Sequence, residues 1–352
     1  MTDRLKSVYQ SLGLPRIIII LFFFALLISA GLLGLNVPSM FGDVLVRVGM
    51  NGVLVLAMIP SIQCGIGLNF GLSIGIIAGL LGGVTSIQLG LTGFTGFTFA
   101  IALGVLLSIP LGILYGMLLN RIKGAEMTVS TYVGFSVIAL MNIFWLLIPF
   151  NSPSLIFAIG GGLRVTVDLS SFYKHILNDF LAFNINTPSG VITFPTGLYL
   201  FLALCCFLVW LFLRSKPGIA MSAAGINGKF ALAAGINENK TRILGTTLST
   251  ALSAVGIIVY AQSYGFYQLY NAPLMMSFAA AAGVLIGGAS VTRSKIFHVL
   301  IGTFLFQGLL VLGLPVANQL MPEGNLSEVI RIIVSNGIIL YALTKSQGGK
   351  NE

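Results

Sequence analysis

The residues able to do chemistry in this chain are few, and they are polar rather than ionisable. Between Val48 and Ser73 an apolar run is interrupted by Asn51, Gln63, Asn69 and Ser73, with Gly65, Gly67 and Gly71 set around Asn69. Amides and hydroxyls exchange hydrogen bonds with a solute but hold no charge at neutral pH. A helix broken by glycine frees backbone groups, which are tolerated at membrane depth only against protein or a water-filled cavity. Two readings follow. The four side chains line a path for a solute, or they hold helices together through amides and small residues. Both stay open, with Asn69 the leading path residue.

Catalytic constellations do not occur. There is no G-x-x-x-x-G-K-S/T phosphate loop, so ATP hydrolysis is not expected of this chain. His175 and His298 stand alone, and neither H-E-x-x-H nor a pair of intramembrane carboxylates occurs. Cys64, Cys205 and Cys206 sit in apolar stretches without metal-ligand spacing and read as packing residues. No enzyme, no metal and no cofactor are expected. Asn142, Trp145, Gln262, Gln307 and Asn336 also lie inside apolar runs, and each reads as a packing residue.

A second feature is the stretch from Lys216 to Arg242, where Gly225 and Gly235 bracket an Ala-rich segment, 227–234. Asn227 is available to cap its start. The segment is too short to cross a membrane and, with Phe230 and Leu232, too apolar to stay in water. It calls for a groove on another protein.

The elements that must position these residues follow from composition. Of 352 residues, 57% are hydrophobic and 8% charged, with a mean hydropathy of +1.01. Soluble domains carry roughly 25% charged residues. The expectation is a single all-α, polytopic membrane domain over 1–352. At about 20 apolar residues per span, ten spans are expected, near 17–35, 46–65, 68–90, 94–119, 128–149, 194–213, 243–262, 273–290, 296–314 and 326–343. The first is long for a cleavable signal and reads as a retained helix. Placing the N-terminus in the cytoplasm leaves only Arg47, Arg164, Lys174 and Arg331 outside, and puts the other Lys and Arg inside. That asymmetry places both termini in the cytoplasm and explains the net charge of +9 without nucleic acid. Two loops are long, an external one at 151–193 and a cytoplasmic one at 214–242. Within the first, the spacing of Phe172, Ile176, Leu177 and Phe180 predicts a short amphipathic helix over 170–183.

Ala224, Gly225, Asn227, Ala233, Ala234, Gly235, Ile236, Asn237 and Lys240 together resemble the cytoplasmic coupling segment of ABC importer permeases of the ribose and branched-chain amino-acid class. The run from Ala282 to Ser290 resembles that family's Gly-Gly segment, and Ile301-Gly-Thr303 the helix after it. Gly65-Ile-Gly-Leu-Asn-Phe-Gly71 is similar to the sugar permeases' G-I-D-L-S-V-G, with Gly67 in place of Asp and Asn69 in place of Ser. The similarity runs over roughly 45–345.

The resemblance implies an inner-membrane permease working by alternating access, and the apolar, weakly polar path suits a neutral solute such as a monosaccharide, a nucleoside or a flavin-like vitamin. The resemblance also implies partners: cytoplasmic ATP-binding cassette subunits, a second permease (the same or a sister chain), an extracytoplasmic solute-binding protein, and membrane lipid. Gly225, Asn227, Phe230, Ala234 and Gly235 then couple to the ATPase. Asn51, Gln63, Asn69 and Ser73 are the path residues. The alternative is a self-sufficient secondary carrier or channel.

Overall fold

A computed structural model describes residues 14–156, 162–187, 190–271 and 273–320, with Gly337. Twelve helices occur in it: α1 Leu14–Leu32, α2 Val37–Leu56, α3 Met58–Gln63, α4 Leu72–Gln88, α5 Gly93–Arg121, α6 Glu126–Leu147, α7 Thr196–Arg214, α8 Lys216–Ile226, α9 Gly228–Ala233, α10 Glu238–Tyr264, α11 Pro273–Ile286 and α12 Ile296–Leu320. Six stretches are long and apolar enough to cross a membrane, α2 with α3 counting as one. Three shorter apolar helices accompany them, in α1, α4 and α11. The expected tenth span, with Arg331 and Asn336, lies outside the described residues.

Several boundaries differ from the expected ones for local reasons. The second span starts at Val37 because Asn36 caps it, its Oδ1 accepting from the Ser39 amide at 3.1 Å. The eighth ends at Ile286 because Gly288, at φ +107°, takes a left-handed turn. The 170–183 helix does not form. That stretch is a succession of turns, with His175 at φ 57° and Leu181 at φ 55°. A helix cannot run through such residues, and periodicity alone does not reveal them.

The all-α expectation also needs correcting outside the spans. β1 (Thr166–Asp168) pairs antiparallel with β4 (Phe266–Gln268), and β2 (Phe183–Thr187) with β3 (Gly190–Phe194).

The core is built on α10, which packs on α5, α4 and α2. Small residues let these backbones close. Gly75 and Gly79 of α4 meet α10 at Ser253 and Ala254, while Gly112 and Gly116 of α5 meet it at Thr247 and Ile243. Between lipid-immersed helices such contacts replace the hydrophobic drive available in water.

The connecting segments sort to two ends of this bundle. At one, the Gly93 amide donates to the Phe172 carbonyl, Gln88 Oε1 accepts from Asn151 and Ser152, and β1 meets β4. At the other, Asn120 donates to the Asn239 carbonyl and Gln63 to that of Ser294. The second end carries the 214–242 loop, whose expected cytoplasmic sidedness gives it the name inner end.

Candidate functional site

The glycine-rich break between α3 and α4 is the centre of the site. Gly65 closes α3 in a left-handed turn at φ +81°, its amide reaching the Ile62 carbonyl while the Ile66 amide reaches that of Ser61. Gly67 turns the chain again at φ +90°. Asn69, with no exposed surface, then fixes the segment. Its Oδ1 accepts from the Gly71 amide at 3.0 Å and the Tyr115 hydroxyl at 2.8 Å, and its Nδ2 donates to Ser249 Oγ at 2.9 Å. Ser249 Oγ in turn donates to the Ala57 carbonyl at 2.7 Å, where α2 meets α3. Asn69 therefore ties the break to α5 and α10, and in this conformation it is a junction rather than the wall of an open path.

Beyond Asn69 two short helices meet by their N-terminal ends. At 17 and 14 residues, α4 and α11 are about 25 and 21 Å long at 1.5 Å per residue, shorter than the roughly 30 Å hydrocarbon core. Ser73 Oγ lies 3.4 Å from both the Pro273 carbonyl and Ser277 Oγ. Phe70 packs on Phe278 at 4.9 Å between ring centroids, and Phe278 lies 6.1 Å from Phe135 of α6. Helix N-termini present unpaired amide hydrogens and partial positive charge. Two of them lie here beside the buried hydroxyls of Ser73 and Ser277 and the ring of Phe70.

Of the residues at this meeting, Ser73 was singled out in the sequence, whereas Ser277, Phe70, Phe135 and Phe278 were not. The sequence carries no local signal for this meeting, because the expected span over 68–90 is not short and the N-terminal start of α4 at Leu72 appears only in the fold. Of the other two path candidates, Asn51 turns its amide back to the Arg47 carbonyl at 2.9 Å, and Gln63 Nε2 donates to the Ser294 carbonyl at 2.6 Å.

At the inner end α8 and α9 follow one another with Asn227 alone between them. Ser215 starts α8, its hydroxyl accepting from the Gly218 amide. Asn227 separates the two helices, and its Oδ1 accepts from the Phe230 amide at 3.0 Å. Gly235, at φ +77°, ends α9 by the same left-handed turn as Gly65. Asn237 then caps α10. Ala234 and Gly235 are exposed, and Phe230 and Leu232 are 68% and 69% exposed.

A charged cluster anchors this end. Arg242, 5% exposed, donates to Glu126 at 2.5 Å and to Asn120 Oδ1 at 2.9 Å. Glu238 takes Lys123 at 2.9 Å and faces Gly228 at the start of α9.

The outer end is tied down by hydrogen bonds. Gln262 binds Asn178, Ser263 and the Leu177 amide, so it packs as expected. Tyr173 and Tyr267 share a 3.1 Å hydrogen bond, and burial pushes both phenols up, which keeps them neutral. Among the described residues, the buried Asn142 Oδ1 and Trp145 Nε1 have no hydrogen-bond partner, and no three His, Cys, Asp or Glu side chains gather.

The family model described as branched-chain amino acid transport system / permease component matches residues 40–343. No curated protein and no solved structure matches the chain.

Proposed function

Since the chain belongs to the branched-chain amino acid transport system / permease component family, we propose that it is the permease of an ATP-binding cassette importer for a small neutral solute such as a monosaccharide or nucleoside. It is a multi-pass protein of the cell inner membrane. Ten spans, with the inner end and both termini in the cytoplasm, complete the reading.

The observation that carries it is α9, a capped helix of six residues presenting Phe230 and Leu232 outward beside the charged cluster. Adjacent apolar side chains on a short helix outside the spans suit a protein groove, and separate ATPase subunits supply that groove in this reading. A second permease and an extracytoplasmic binding protein complete the complex. Closure of the ATPases displaces α9, and the helices answer by opening the path to the other side. ATP drives this only if the ATPases bind the two states differently.

The solute pathway runs where α4 and α11 meet, over Ser73, Ser277, Phe70 and Phe278. Among the described residues it holds no carboxylate or ammonium, which favours an uncharged solute, because an unpaired charge there is expensive to desolvate.

Co-purification tests the reading. The chain brings down a cytoplasmic ATPase, and Phe230→Asp weakens the complex without reducing membrane insertion. Transport by the purified chain with no ATPase bound identifies a self-sufficient carrier or channel instead.

A further inference from the structure

The break at 64–71 and the coupling pair α8–α9 touch each other, and they do so through glycine on both sides. A Cβ added at Gly65 would lie 2.9 Å from Gly225 Cα. One added at Gly225 would collide with the Gln63 carbonyl oxygen and lie 2.8 Å from the Gly65 amide nitrogen. The two backbones are thus in direct contact, with no flexible side chain between them to absorb a displacement. On its other side the break is backed by 290–295. Gln63 donates to the Ser294 carbonyl, and a Cβ at Gly67 would lie 2.8 Å from Val291 Cγ1.

We propose that the Gly65–Gly225 contact is the joint that passes movement of the coupling pair into the α3–α4 break, with both glycines as positioning residues. The proposal rests on the permease reading above. Only Asn227 lies between α8 and α9. The Asn227 amide closes the last turn of α8 on the Ala223 carbonyl at 3.1 Å, and its side chain opens the first turn of α9. The pair therefore moves together when a partner pushes α9. Gly225 then presses on Gly65, and 290–295 prevents the break from yielding sideways. The displacement goes along the segment to Phe70 and Ser73, where α4 meets α11. Packed interiors pass small shifts on rather than absorbing them.

The test is hydrogen–deuterium exchange on the full complex with its co-purified ATPase, without nucleotide and trapped with ATP and vanadate. The expected result is that 228–235 and 62–72 both change exchange on trapping, by about tenfold at the most responsive amides. In Gly225→Ala, 228–235 still responds and 62–72 no longer follows it. Should 228–235 respond in the unaltered complex while 62–72 stays constant, the joint is overturned and the permease reading stands. If neither segment responds, the permease reading fails and the joint with it. The unaltered complex alone decides between these outcomes, so the test holds even if Gly225→Ala does not assemble.

Discussion

Gly225 of α8 meets Gly65 of the α3–α4 break backbone to backbone, and a Cβ on either residue would intrude on the other's main chain. The contact joins the two stretches of the sequence that carry polar or capping features, one inside the bundle and one at its inner end.

Gly65→Ala tests the local cost. At φ +81° an L side chain costs roughly 1–2 kcal/mol, before the collision with Gly225. The variant is expected to lose thermal stability in detergent. A melting curve matching that of the parent would show that the break tolerates a side chain.

For the coupling pair, Asn227→Ala removes the cap of α9, which costs about 0.5–2 kcal/mol. Weaker ATPase retention is expected, restored by Asn227→Asp because an aspartate caps equally well. Equal retention by the alanine and aspartate variants would show that the cap does not hold α9 for its partner.

The six long apolar spans and the short capped helix after Asn227 were legible because their signals are local. Apolar runs of sufficient length, Asn before a helix and Gly after it are properties of neighbouring residues. The Gly65–Gly225 contact was not legible, since two glycines leave no side-chain pattern to match across a long separation. Nor was the pairing of Arg242 with Glu126, which depends on how α10 crosses α6. The turns over 170–183 imitate a helix in their apolar spacing, and only His175 and Leu181 at positive φ reveal the difference. Ser73 was found from its polarity, whereas Phe70 and Phe278 resembled ordinary core residues until the short helices were seen to meet.

Arg242→Ala leaves the largely buried Glu126 carboxylate without its guanidinium. Breaking a buried pair on one side typically costs about 3–5 kcal/mol. The amount of assembled complex, measured by size-exclusion chromatography, is expected to fall sharply. Arg242→Lys keeps the charge but loses the fork that reaches Glu126 and Asn120 together, so an intermediate yield is expected. An alanine variant that assembles normally would remove the cluster from the account.

Asn69→Leu strands the Gly71 amide and the Tyr115 hydroxyl at the junction, at about 1–3 kcal/mol for each buried group left unsatisfied. Assembled protein should fall, while uptake per assembled complex is preserved. Ser73→Ala, which removes the hydroxyl at the meeting of α4 and α11 without adding bulk, should show the reverse pattern, with normal assembly and reduced uptake. If the two variants exchange behaviours, the pathway runs through Asn69.

The central claim is that this chain moves an uncharged solute only when separate ATPase subunits drive it. The most direct measurement is uptake of a labelled panel of monosaccharides and nucleosides into proteoliposomes holding the chain alone or its complex with ATPase and binding protein. The account predicts accumulation of at least one solute by the complex with ATP and Mg²⁺, abolished by vanadate, and none by the chain alone. Equal accumulation by the chain alone, without ATP, would contradict it.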